Sequence, residues 1–135
     1  MNLAYLDSLP EVANKYNVEL EDGEKVVFNA MMSVFGDEKD VPLGGKSKFT
    51  LTNRHIITNN GPGIWTINIA EDIINCFRKG NKALRFFNLD CIAVELNREI
   101  IYEDGRGKLT GFHFYFKRSV KKKLEKIMEN VFNNQ

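Results

Sequence analysis

Hydrophobic and polar positions alternate most regularly near the end of the chain, where Phe112, Phe114 and Phe116 are separated by His113 and Tyr115 and followed by Lys117. A period of two is that of a β-strand, whose successive side chains point to opposite faces. Residues 46–52 repeat it. Ser47, Phe49 and Leu51 fall on one face, and Lys46, Lys48, Thr50 and Thr52 on the other. In residues 64–69, Trp65, Ile67 and Ile69 share a face. Residues 25–35, rich in Val, Phe and Met, read as the first strand and residues 54–59 as another. Residues 73–78 and 91–102 supply two more, the second folded or kinked at Asn97-Arg98. Turn chemistry separates these runs at Glu21-Asp22-Gly23-Glu24, at Asn59-Asn60-Gly61-Pro62-Gly63 and at Asp104-Gly105-Arg106-Gly107. Residues 36–45, by their Gly, Pro and acid content, read as a long protruding loop. In residues 81–90, Leu84, Phe86 and Phe87 suit either a strand or a bulged loop.

Helical spacing appears at the two ends. Val120, Leu124, Ile127, Met128, Val131 and Phe132 form an apolar stripe, with Ser119 placed to cap a helix beginning at Val120. Leu3, Leu6, Leu9, Val12, Ala13 and Tyr16 suit a short amphipathic helix that Pro10 interrupts. The chain divides into an N-terminal helical extension, residues 1–18, and a domain at 19–135. Antiparallel strands followed by one helix make this α+β, mostly β.

Length and composition support that picture. At 135 residues, 43% hydrophobic and 27% charged, the chain suits one folded domain. No apolar run approaches the roughly 20 residues that cross a bilayer. No basic stretch precedes an apolar one at the N-terminus, so the expected location is the cytoplasm. Cys76 and Cys91 lie outside any Cys-x-x-Cys and are expected as buried free thiols.

Four short stretches carry a resemblance: Gly23-Glu24-Lys25-Val26 before the first strand, Leu51-Thr52-Asn53-Arg54 at a tight turn, Glu71-Asp72-Ile73 opening a strand, and the Phe112-Phe114-Phe116 strand before the helix. Over residues 19–132 the chain resembles the bacterial pleckstrin-homology-like and GRAM-type domains. The resemblance implies a small barrel of about seven antiparallel strands in two sheets, closed by the C-terminal helix. Residues 36–45 and 81–90 depart from it. The family includes lipid-binding modules and, in bacteria, interaction or assembly domains. It brings no catalytic residue and no cofactor.

Charge is divided along the chain although its total is only +1. Residues 1–45 hold three cations against nine acids, a net of −6; residues 106–126 hold eight cations against Glu125, a net of +7. Lys117, Arg118, Lys121, Lys122 and Lys123, with Lys46 and Lys48, are therefore the candidate residues for an anionic lipid or a partner. The bland reading of the helix lysines is a solvated polar face. Nucleic acid is disfavoured, because the chain is nearly neutral and its aromatic residues belong to the expected core.

Catalytic chemistry finds little footing. His55 and His113 have no carboxylate or cysteine at metal-ligand spacing and read as strand residues with one polar edge. The adjacent pairs Glu71-Asp72 and Glu103-Asp104 suit capping and turn roles, since neighbours on a strand face opposite ways. Gly44-Gly45-Lys46-Ser47 precedes a strand where a phosphate loop opens a helix, which excludes that motif. Trp65, just past the Gly61-Pro62-Gly63 tip, is expected in the core, with a ligand or membrane edge as the alternative. The functional expectation is a non-enzymatic interaction module that self-associates through sheet edges or the N-terminal helix. The alternative is peripheral binding to anionic membrane lipids. Neither reading requires a metal or cofactor.

Overall fold

The computed structural model describes residues 1–60, 63–79, 87–101 and 107–132. Among these, nine strands form two antiparallel sheets with a helix at each end of the chain. One sheet has the order β1(Val26–Met32), β4(Ser47–Thr52), β5(His55–Asn59), β6(Ile64–Asn68). The other has the order β3(Pro42–Gly44), β2(Val34–Asp37), β9(Lys108–Lys117), β8(Leu89–Ile101), β7(Ile73–Lys79). The sheets are not closed into a barrel.

The expected first strand is in fact two. It breaks at Ser33, whose N–H donates to the Tyr115 carbonyl at 2.9 Å, so the chain leaves the first sheet and enters the second. Met32 and Phe35 are both fully buried although three residues apart. Strand alternation cannot place both inward, and the change of sheet resets it. The expected protruding loop at 36–45 also differs. It holds the end of β2 and all of β3, joined by a turn in which the Asp37 carboxylate accepts from the Lys39 and Val41 N–H groups. The expected kink near Asn97 is present, as a register shift between Glu95 and Ile100 where β8 pairs with β9. The expected turn at 104–107 and most of 81–90 lie outside the described residues.

Phe49 sits at the centre of the core, its ring 5.3 Å from Phe114 and 5.2 Å from Phe116, both edge-on. Trp65 packs inward on Phe112, at 5.4 Å between ring centroids, as its alternation with Ile67 predicts. Phe112, Phe114 and Phe116 are buried as expected, but His113 and Tyr115 between them are buried as well. Both faces of β9 are therefore covered.

The N-terminal helix stops early. α1(Leu3–Ser8) ends before Leu9, which is extended, as a residue preceding proline is biased to be. Leu6 is wholly buried in the common core, and the Asn2 N–H donates to the Val131 carbonyl at 2.7 Å. The chain then runs beside β1, where the Val12 N–H donates to the Val26 carbonyl and the Asn29 side chain to the Ala13 carbonyl. A single turn, α2(Ile69–Asp72), separates β6 from β7. Asn68 caps it through the Glu71 N–H, while Asp72 accepts from the Asn68 N–H at 2.9 Å. The C-terminal helix α3(Arg118–Phe132) begins two residues before the expected start, so Ser119 lies within it. It packs on β7, β8, β9 and α1. No described helix is long and apolar enough to cross a membrane.

Candidate functional site

A strap formed by residues 14–24 lies over the outer face of the four-stranded sheet, and between them is a cleft of about 620 Å³. The strap is shaped by local chemistry. The Asn14 side chain brackets Val18, donating to its carbonyl at 2.9 Å and accepting from its N–H at 3.0 Å. Asn17 and Gly23 take positive φ, 51° and 79°, a region open at low cost to few other residue types. The Glu24 N–H closes the turn onto the Glu21 carbonyl at 3.0 Å.

Two side chains from the β4–β5 turn pin the strap. Asn53 accepts from the Lys25 N–H at 3.0 Å, and its amide donates to Asp7 at 2.9 Å and to the Gly23 carbonyl at 3.3 Å. Thr52 accepts from the Arg54 and His55 N–H groups and donates its hydroxyl to Oε2 of Glu24. His55 Nδ1 lies 2.8 Å from that same oxygen, while Oε1 accepts from the Glu21 N–H. The Glu24 side chain is 1% exposed and that of His55 13%. Burial acts to raise the Glu24 pKa, but the hydrogen bonds from Glu21, Thr52 and His55 outweigh it and hold the carboxyl below its ordinary range. Every oxygen of this cluster is committed. It fastens the strap to the sheet.

The cleft floor comes from outward-facing positions of three strands, with Thr50, Ile57 and Thr66 among them. Tyr16, Glu19, Leu20 and Glu21 are on the strap side, and Lys48, His55 and Ile64 also line the cleft. Lys48 Nζ lies 5.9 Å from the Tyr16 ring, close enough for a cation–π contact. The arrangement offers apolar surface with a few hydrogen-bonding groups, which suits binding.

On the outer face of the five-stranded sheet, Oδ1 of Asp40 lies 2.8 Å from His113 Nδ1 and accepts from the Tyr115 hydroxyl at 2.7 Å. Burial acts to raise the Asp40 pKa, and these two partners reverse that and lower it. Asp40 has a φ of 61° and anchors the β2–β3 turn over the sheet. Both histidines are thus paired to carboxylates, from residues 31 and 73 positions away. No spacing rule would have revealed either partner. Among the described residues, no group of three potential metal ligands converges.

The basic candidates divide. Lys117, Arg118, Lys122 and Lys123 are exposed at the end of β9 and the start of α3. Lys121 is a correction. It is 2% exposed, and its ammonium lies 3.1 Å from Asp90 and 2.7 Å from Glu125. Arg78 adds to this cluster, 3.4 Å from Asp90. Burial acts to raise the Asp90 pKa, and its charged partners bring it below the ordinary range. Lys46 and Lys48 are exposed elsewhere, Lys46 in the β3–β4 turn and Lys48 in β4.

The remaining candidates take structural roles. Asp72 pairs with Arg98 at 3.0 Å and caps α2 together with Asn68. Glu103 and Asp104 lie outside the described residues. Gly44 closes β3 and Ser47 opens β4, with no helix after them. Cys76 and Cys91 are buried and free, and burial pushes each thiol up to about 12. Compared with models of known protein families and with curated proteins, the chain matches none.

Proposed function

We propose that the chain is a non-enzymatic interaction and assembly module of pleckstrin-homology-like type, working in the cytoplasm and self-associating. The observation that carries this reading is the strapped cleft beside β6. Its shape is fixed by Asn53, Thr52 and Glu24, and its titratable pair is consumed in holding the strap. A preformed cleft whose Glu24–His55 pair is engaged in holding its strap is suited to recognition. Two antiparallel sheets with a helix at the C-terminus are consistent with the resemblance carried by residues 19–132. Light scattering across a wide concentration range tests the self-association. A mass that rises with concentration is expected, and a strict monomer at the highest concentration overturns it.

A second reading rests on the exposed cluster Lys117, Arg118, Lys122 and Lys123. Each cation near an anionic membrane is worth about 1 kcal/mol. Flotation on anionic vesicles, reversed by salt and lost when these residues are changed to Glu, is the expected result. Equal flotation of the charge-reversed variant removes the reading.

A further inference from the structure

The two sheets present four edges, and three of them are guarded. β1 is flanked by residues 12 and 13, which hydrogen-bond to Val26 and Asn29. β3 is three residues long and begins with Pro42. β7 is bent by a register shift between Ile73 and Asn75 and ends in Arg78 and Lys79. Short length, proline, bulges and charge are the devices by which proteins prevent strands from pairing across an edge.

β6 has none of them. Its sequence is Ile-Trp-Thr-Ile-Asn, with no charge, no proline and high strand propensity, and Ile64 is 66% exposed. Among the described residues it pairs with β5 alone. The hydrogen bonds from the Asn60 N–H to the Gly63 carbonyl and from the Ile69 N–H to the Arg54 carbonyl set the phase of that ladder. By the alternation of an antiparallel pair, Trp65 and Ile67 bond to β5, whereas Ile64, Thr66 and Asn68 direct their backbone groups to the open side. The Asn68 N–H is taken by Asp72. Among the described residues, the N–H and C=O groups left open are those of Ile64 and Thr66.

We infer that β6 pairs antiparallel with β6 of a second copy about a two-fold axis at Trp65, joining two four-stranded sheets into one. This register sets Ile64 of each copy opposite Thr66 of the other. Every open N–H then meets an open C=O, no like charges face each other, and the edge is its own complement. A charged or proline-bearing strand would lack that match. The cleft linings at Ile64 and Thr66 become adjacent across the axis, so the inference rests on the assembly reading and names the surface it uses.

Three measurements test it. Sedimentation should show a dimer for the native chain and for Ile101→Lys, a control at another exposed apolar residue, but a monomer for Ile64→Lys. Mixed Ile64→Cys and Thr66→Cys variants should form a disulfide-linked heterodimer under mild oxidation in higher yield than either variant alone, since Cys76 and Cys91 are buried. The single tryptophan lies on the axis, so its emission should change with concentration in the native chain and not in Ile64→Lys. A dimer that survives Ile64→Lys and gives no preferred heterodimer overturns the β6 pairing and leaves the assembly reading in place. A strictly monomeric native chain overturns both.

Discussion

Oε2 of Glu24 lies 2.8 Å from Nδ1 of His55, and this contact joins the strap to the sheet it covers. The Glu24 carboxyl has a pKa below its ordinary value of 4.5 in the folded chain. Its contribution to stability is therefore fully present above pH 4.5 and is lost as pH falls through the folded value. Glu24→Gln should be less stable at neutral pH, and the gap to the native chain should close as the solution is acidified past 4.5. Urea unfolding midpoints measured along that titration check this. The lowered carboxyls of Asp40, Asp72 and Asp90 are present in both proteins and leave the difference to Glu24.

Lys121 and Asp90 make a second test of burial against charge. Their side chains are 3% and 6% exposed. Lys121→Met leaves Asp90 with the more exposed Arg78 as its cation and should cost about 3–5 kcal/mol. Adding Asp90→Leu should return much of that loss, because a buried pair replaced by apolar groups is often near neutral. Denaturant unfolding of both single variants and the double variant gives the coupling directly.

Asn53 is expected to govern the strap. Asn53→Ala strands the Lys25 N–H and frees Asp7 and Gly23, at about 1–3 kcal/mol. Hydrogen exchange should speed up at Val18 and Lys25 before the strands of the five-stranded sheet are affected. Equal acceleration throughout would mean that Asn53 supports the whole fold and not the strap.

Gly111 is expected to reject a side chain. A Cβ there would fall 2.7 Å from the Val94 carbonyl oxygen on the neighbouring strand, where only backbone can yield. Gly111→Ala should destabilise by about 1–3 kcal/mol, read as a lower thermal midpoint.

Strand positions on one buried face were legible in the sequence. Phe49, Leu51, Trp65, Ile67 and the three phenylalanines of β9 follow the period that half-buried strands impose. What the sequence hid depends on contacts between distant residues. The break at Ser33 is a change of partner strand, which no local pattern marks. The burial of Tyr115 and His113 was not legible, because the Asp40 turn that covers them lies more than seventy residues earlier. Lys121 looked solvated because its two carboxylate partners come from β8 and from the next turn of its own helix. The cleft belongs to the same class, since its strap and floor are joined by ties between distant residues, those of Asn53 and Glu24 among them.

Cys76 lies in the core between the sheets, and Cys91, one strand away, points to the opposite face of the five-stranded sheet. With both thiols raised to about 12 and shielded, neither is a nucleophile while its layer is closed. The molecule thus contains two chemical clocks. The rate at which a thiol reagent captures Cys91 should time the uncovering of the outer face of the five-stranded sheet, and the rate at Cys76 the parting of the sheets.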